Sequence, residues 1–344
     1  MAENADIFKG LLAKVGSGGT LSTDEAAHAF DIMMSGDATA SQMGGLLLAL
    51  HTRGETVEEI TGAATTMRAK ATHIEAPDGA MDVVGTGGDR SGTYNISTCT
   101  AIVVAGCGIP IAKHGNRAAS SQSGAADVLG TLGIDIDADF PLLEKSVREA
   151  GICFMMAQRH HGAMRNVMPT RIELGTPTIF NILGPLSNPA GVKRLLVGTY
   201  APKWVEPMAT TLGALGAERA WVVHGSDGLD ELTTTGPSTI CEYYEGATRT
   251  FELSPEDAGL PLSKPEDLKG GDADYNAAAI QAVLAGEPSA YRDIVLFGTA
   301  AALKVAGRAD DLHDGVALAA EAIASGKAKA ALDGMVAITN GPNA

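Results

Sequence analysis

Met81-Asp82-Val83-Val84-Gly85-Thr86-Gly87-Gly88-Asp89 opens the stretch that decides the fold, and it continues through Arg90-Ser91-Gly92-Thr93-Tyr94 to Asn95-Ile96-Ser97-Thr98. A short apolar strand over 81–84 runs into a glycine-dense turn. Hydroxyls and an amide follow, then an Ala/Val-rich helical segment from Thr100. Strand, glycine turn, polar cap and helix together offer backbone N–H groups and a positive helix end to a phosphate. Glycine lets the backbone reach φ > 0 and approach a ligand with no Cβ in the way. The lysine-bearing phosphate loop is excluded, because no Gly-Lys-Ser/Thr follows. The dinucleotide fingerprint is excluded too, because Asp89-Arg90 stands where a third glycine belongs. A tight turn without a ligand is the competing reading of this stretch alone.

Outward from it, strands and helices alternate. Strands are expected at 109–112, 152–156, 194–199 and 219–224, with helices at 98–108, 124–133, 141–150 and 204–215. Such alternation means an α/β fold with a mostly parallel central sheet covered by helices. Residues 232–253 break the pattern and are expected as short antiparallel strands at a sheet edge. Helices return at 275–285, 289–306, 311–325 and 327–336. Upstream, residues 7–70 are purely helical: Ile7, Leu11, Leu12 and Val15 repeat at helical spacing, and Ser22-Thr23-Asp24-Glu25 reads as a cap. The expectation is a small all-helical domain over 1–72, with a contribution from about 165–190, and a larger α/β domain over 73–344.

A chain of 344 residues has ample length for a core. Its 25 basic against 41 acidic residues give a net charge of −16, which argues against nucleic acid or an anionic membrane as partner. An anionic substrate would need local cations working against that field. The segment Met1-Ala2-Glu3-Asn4-Ala5-Asp6 has neither a basic nor an apolar targeting region, so a cytoplasmic protein is expected. Cys99, Cys107, Cys153 and Cys241 show no C-x-x-C pairing and read as reduced core residues.

Three further clusters carry chemistry. Lys113-His114-Gly115-Asn116-Arg117 is expected in a loop at a strand's C-terminal edge, beside Ser120-Ser121-Gln122-Ser123-Gly124, as a second anion-binding loop. A solvated basic turn is the alternative. Asp227-Gly228-Leu229-Asp230-Glu231 follows a strand and supplies hard oxygen ligands of the kind Mg²⁺ takes alongside substrate phosphates; a capped acidic turn competes with it. His160-His161 lacks the i, i+4 spacing of a zinc pair. Arg171, if turned into a cleft, could hold a carboxylate through its bidentate fork.

Taken in order, these motifs resemble the anthranilate phosphoribosyltransferase family. The resemblance rests on the 82–89 and 95–98 stretches, on 113–117 with Ser120-Ser121-x-Ser123-Gly124-x-Ala126-Asp127, and on Arg171-x-Glu173-Leu174-Gly175. Thr178-Ile179-Phe180-Asn181-x-Leu183-Gly184-Pro185-Leu186-x-Asn188-Pro189 and Asp227-Gly228-x-Asp230-Glu231 complete it, and it spans about residues 7–335. It implies transfer of the phosphoribosyl group of 5-phospho-α-D-ribose 1-diphosphate to the amine of anthranilate in tryptophan synthesis, with release of pyrophosphate. It also implies a homodimer formed through the helical domain.

By motif, Gly85, Gly88, Asp89, Thr93, Asn95, Ile96, Ser97 and Thr98 would hold the donor. So would Lys113, His114, Gly115, Asn116, Arg117, Ala118, Ala119, Ser120, Ser121 and Ala125. Gly85, Asn116, His161 and Arg171 would meet anthranilate, with His114 lining its path. Ser97, Asp230 and Glu231 would contact two Mg²⁺ ions. No residue is expected to act as a catalytic base, Lys113, His114, Asn116 and Arg171 acting by positioning. Three positions depart from the family pattern: Ala125 for a common Ser, Gly162 for Pro and Pro177 for Arg. A pyrimidine nucleoside phosphorylase of the same superfamily needs no Mg²⁺ pair, so Asp230-Glu231 and Arg171 speak against it. A non-catalytic nucleic-acid-binding relative conflicts with the charge.

Overall fold

Four helices begin the chain: α1 (Ala2–Gly16), α2 (Thr23–Ser35), α3 (Ala40–Arg53) and α4 (Val57–Ala69). The computed structural model describes residues 2–117 and 122–341, with Ala2 and Glu3 as backbone only. Capping boxes start three of these helices, pairing Ser22 with Glu25, Thr39 with Gln42 and Thr56 with Glu59. α2 and α4 lie in close contact because Gly62 has no side chain; a Cβ there would stand 2.3 Å from the Thr23 carbonyl oxygen.

The chain then alternates through β1 (Met81–Gly85), α5 (Ile96–Gly106), β2 (Ile111–Gly115), α6 (Ala125–Thr131), α7 (Phe140–Glu149) and β3 (Ile152–Met156). Three short helices follow: α8 (Ala157–His160), α9 (Met168–Leu174) and α10 (Phe180–Leu183). Next come β4 (Arg194–Gly198), α11 (Val205–Ala214), β5 (Arg219–Gly225), β6 (Ser238–Tyr244) and β7 (Ala247–Leu253). The chain closes with α12 (Ala273–Leu284), α13 (Ala290–Val305), α14 (Leu312–Ala324) and α15 (Lys327–Thr339).

The strands form one sheet in the order β3-β2-β1-β4-β5-β6-β7, parallel up to β5 and antiparallel beyond it. The antiparallel edge expected from the sequence is the β6–β7 hairpin. It turns on Glu245 (φ 50°) and Gly246 (φ 81°), the two left-handed residues of a tight primed turn. From β1 the chain winds outward through β2 and β3, then returns to build β4 and β5 on the other side. β1 and β4 therefore flank the topological switch point, where an open parallel sheet leaves a crevice at its carboxyl edge.

Strand alternation splits the interior in two. Met81, Val83, Ile111, Phe154, Leu196 and Trp221 face the core built with α5 and α12–α15. Val84, Ala112, Cys153, Leu195, Val197 and Val222 face the core shared with α1–α4 and α11. All four cysteines are free; Cys99, Cys153 and Cys241 are buried and Cys107 is half-buried.

One boundary differs in a way that matters. β2 begins two residues later than expected and runs through Gly115, so Lys113 and His114 are strand residues and not loop residues. Gly108 (φ 90°) and Pro110 hold the preceding turn, and a proline cannot donate to the ladder, so pairing starts at Ile111. α5 likewise starts at Ile96, two residues before the expected helix.

Candidate active site

The loop after β5 lies across the carboxyl ends of β1 and β4. Glycine at both strand ends makes room for it: a Cβ on Gly85 would stand 2.4 Å from Asp230 Oδ2, and one on Gly198 would stand 1.6 Å from the Asp230 carbonyl oxygen. Asp230 Oδ2 accepts the Gly87 N–H at 2.6 Å, locking the glycine turn onto this loop. Glu231 reaches α5, where its Oε1 accepts the Ser97 N–H at 3.0 Å. That carboxylate thus occupies one orphan donor of the helix N-terminus.

Lys113 is buried beneath the pair. Its Nζ donates to the Val83 carbonyl at 2.6 Å and lies 3.4 Å from Ser97 Oγ. Burial pushes the Asp230 carboxyl well above the usual range, with the Asp89 and Glu231 carboxylates adding to the shift. Burial raises Glu231 to about 7, and the Lys113 ammonium works against that rise. Burial also lowers Lys113 itself, opposed by Asp82, Glu231 and Asp230. Three carboxylates thus converge on one ammonium.

Left-handed backbone at Gly87 (φ 67°), Gly88 (φ 82°), Arg90 (φ 57°) and Gly92 (φ 64°) curls the turn. Asp89 Oδ1 accepts the Ser91 N–H at 3.2 Å. Residues near 268–271 strap this turn from outside: Lys269 Nζ donates to the Ser91 carbonyl, and the Gly270 N–H donates to the Gly92 carbonyl at 2.9 Å. Asn95 stands at the N-cap of α5, yet its side chain makes no cap bond. Instead its Nδ2 donates to the Ser123 carbonyl at 3.1 Å, and its Oδ1 accepts from Asn276 Nδ2 at 2.9 Å.

The other face of the sheet carries different groups. His114 packs edge-on to His161, ring centroids 5.1 Å apart. Burial holds His114 well below its ordinary value, and burial lowers His161 to about 4, so both rings are neutral. Behind them Asp82, fully buried, accepts from Asn188 Nδ2 at 2.7 Å and from the His114 N–H at 3.2 Å. Burial raises Asp82 to about 6, against the pull of Lys113. Arg171 on α9 is half-buried, with its guanidinium 5.3 Å from the Phe180 ring centroid and Nη1 3.6 Å from Met168 Sδ. Among the described residues it has no carboxylate partner.

The structure brings Gly85, Gly88, Asp89, Thr93, Asn95, Ser97, Lys113, Asp230 and Glu231 to one end of the sheet. Ile96 and Thr98 join them through backbone only, their side chains being buried. Gly115 closes β2 against Phe154, 2.7 Å from where its Cβ would be, and Ala125 is 3.4 Å from the same point. Asn116 and Arg117 are exposed beyond it; Arg117 pairs with Asp127 at 3.2 Å. Ala118, Ala119, Ser120 and Ser121 lie outside the described residues. His114, His161 and Arg171 sit on the face toward the first four helices. Asp227 is not with its neighbours: Oδ2 accepts the Thr233 and Thr235 hydroxyls at 2.6 and 2.7 Å, which makes it a brace for its own turn. Sequence reasoning missed Asp82, Asn188, Lys269 and Asn276 as supports. Asn188 stood in a motif, but Asn276 gave no signal beyond the Gly270-Gly271-Asp272 helix start.

A helical bundle joined to an open α/β sheet with this crevice defines a two-domain glycosyl transferase. Residues 9–71 match the glycosyl transferase family helical bundle domain, and 77–329 match the glycosyl transferase family a/b domain. The curated anthranilate phosphoribosyltransferase of Rhodospirillum rubrum is 60% identical over 98% of this chain and 97% of its own. That of Azospirillum brasilense is 61% identical over 97% and 93%. The crystal structure of the Thermus thermophilus enzyme superposes with a TM-score of 0.91 at 41% identity, covering 96% of this chain and 99% of that one. The Saccharomyces cerevisiae enzyme in complex with PRPP and Mg gives 0.87 at 28%, over 97% and 98%. The chain belongs to the anthranilate phosphoribosyltransferase family.

Proposed function

We propose that this chain transfers the phosphoribosyl group of 5-phospho-α-D-ribose 1-diphosphate to the amine of anthranilate. The products are N-(5-phosphoribosyl)anthranilate and pyrophosphate, in the second step of tryptophan biosynthesis from chorismate. The observation that carries this reading is the joint at the β1/β4 switch point, where a glycine turn, the α5 N-terminus and the buried Asp230-Glu231 pair meet. The yeast relative was solved with PRPP and Mg, and again with 4-fluoroanthranilate.

The donor set fits Mg²⁺. Buried Asp230 and Glu231, with Asp89 beside them, outnumber Lys113 and leave negative charge that a divalent cation offsets. Their oxygens and the Ser97 hydroxyl are hard ligands, and Mg²⁺ binds readily through one or two carboxylates plus phosphates. Ser97, Asp230 and Glu231 would hold two ions. A Mg²⁺ ion held there would supply positive charge against the negative charge building on the departing pyrophosphate.

The chain's own groups do the rest. The free N–H groups of the 85–93 turn and of α5 receive phosphate oxygens, and the end of β2 with Asn116, Arg117 and Ala125 encloses the other end of the donor. Arg171 clamps the anthranilate carboxylate, while Gly85, Asn116, His114 and His161 line the path of the ring. Anthranilate's aryl amine is neutral at pH 7, so positioning, worth up to about 10 kcal/mol as effective molarity, replaces a base.

The same reading assigns residues 1–72, with about 165–190, to a domain that dimerises, and 73–344 to donor binding. Exposed Leu48, Met168 and Ile172, the last 73% exposed, support a homodimer through that surface. Among the described residues no helix is long and apolar enough to cross a membrane, and a cytoplasmic location suits a biosynthetic enzyme.

The test is to mix protein, anthranilate, donor and Mg²⁺ and follow loss of anthranilate fluorescence. Turnover that requires both donor and metal is expected; no turnover with metal present overturns the assignment.

A further inference from the structure

Asn276 lies in the first turn of α12 and is 1% exposed. Its Oδ1 accepts the Gly271 N–H at 2.9 Å and its Nδ2 donates to Asn95 Oδ1 at 2.9 Å. Asn95 in turn donates to the Ser123 carbonyl at 3.1 Å, so one chain of hydrogen bonds runs from α12 through the 92–95 loop to the 122–124 loop. Tyr291, whose ring stacks on Tyr94 at 4.3 Å, donates its hydroxyl to the Asn95 carbonyl at 3.1 Å. The fit is close: a Cβ on Gly270 would stand 2.8 Å from Asn276 Oδ1 and 2.6 Å from the Thr93 carbonyl.

Asparagine at a helix N-cap ordinarily turns its Oδ1 back to the N–H of the second or third residue. Asn95 does not, and Asn276 occupies the oxygen that would do so. Glu231 already accepts the Ser97 N–H, so a self-capped α5 would fill with its own amide the Thr98 N–H, the helix-end donor left for a phosphate. We propose that Asn276 is a positioning residue that holds Asn95 off the α5 N-terminus, keeping that helix end open for the donor's phosphate and fixing the spacing of the two donor loops. The proposal rests on the reading that α5 receives the phosphoribosyl donor.

The experiment measures KM for both substrates and kcat in Asn276→Ala, Asn95→Ala and the double variant, with thermal unfolding alongside. Asn276→Ala is expected to raise KM for the donor about 10-fold, the scale of losing one buried hydrogen bond, while KM for anthranilate stays within about 2-fold. The double variant is expected to be no worse than the poorer single one, because with Asn95 gone nothing is left to close the helix end. Single effects that multiply, or equal rises in both KM values, overturn the proposal. Should Asn276→Ala fail to fold, Asn276→Asp carries the same cycle with Asn95→Ala, because it keeps the oxygen that accepts the Gly271 N–H and loses only the amide donor to Asn95 Oδ1, with a donor KM rise of about 3-fold. An unchanged donor KM there overturns it. A wild-type protein that does not consume anthranilate would defeat the functional reading instead, so the two failures are told apart.

Discussion

The Asp230 carbonyl oxygen lies where a side chain on Gly198 would begin, 1.6 Å from the ideal Cβ position. The Asp230-Glu231 loop is seated on bare backbone at a strand end. Gly198→Ala must push it away from β1, breaking the bond from the Gly87 N–H to the Asp230 carboxylate. A stability loss of about 2 kcal/mol is expected from such overpacking. Urea denaturation measures it, and a Mg²⁺ titration of turnover should show the apparent metal affinity falling in parallel.

Replacing Asp230 by Asn and Glu231 by Gln together removes two buried negative charges whose ionised forms burial disfavours. The variant should fold at least as well as the parent without metal, and lose Mg²⁺-dependent turnover altogether. Retained turnover with an unchanged Mg²⁺ response would refute the ligand role.

Arg171 has no carboxylate partner among the described residues and is half-buried. Arg171→Ala should raise KM for anthranilate by about 10- to 100-fold, the range for a charged hydrogen-bond pair, with KM for the donor changed far less. Equal effects on both substrates count against a carboxylate clamp.

His161 titrates near 4 and His114 well below its ordinary value, both through burial, so neither changes charge near neutrality. His114→Asn and His161→Asn should each retain turnover with the pH profile between about 6 and 8 unchanged. A lost limb in that profile would reveal proton transfer through the ring.

Asp82 carries a folded-state value near 6 against 3.8 for the free group. Its folded form binds the proton more tightly, so its contribution to stability is full below the unfolded value and is lost as pH rises through about 6. Metal-free protein should therefore show this contribution falling between about pH 4 and 6, and Asp82→Asn should flatten that part of a Tm-against-pH curve. A curve of the same slope in the variant would assign the effect elsewhere.

Much of this was legible in residue pattern. Strand–helix alternation marked the sheet, glycine runs marked the turn, and adjacent Asp230-Glu231 past β5 marked the acidic loop. Lys113 and His114 misled, because polar residues in a row past an apolar strand read as an anion-binding loop and not as strand. Their burial is possible only through Val83, Asp82 and Asn188, partners that local sequence does not reveal. Asn95 misled in the opposite sense, its helix-cap position hiding a bond to Asn276 across 181 residues of chain. Gly162 needs no glycine: its φ is outside the left-handed region, and space is open where a Cβ would be.

The two-residue period of β2 sends Lys113 to the α5 face and His114 to the face of the first four helices. Consecutive residues thus face opposite sides of one layer. A single-residue insertion or deletion within 111–113 would exchange those faces, turning an imidazole toward α5 and an ammonium toward the first four helices. Selection can tune each half of the site by substitution, but the reading frame of this five-residue strand cannot drift.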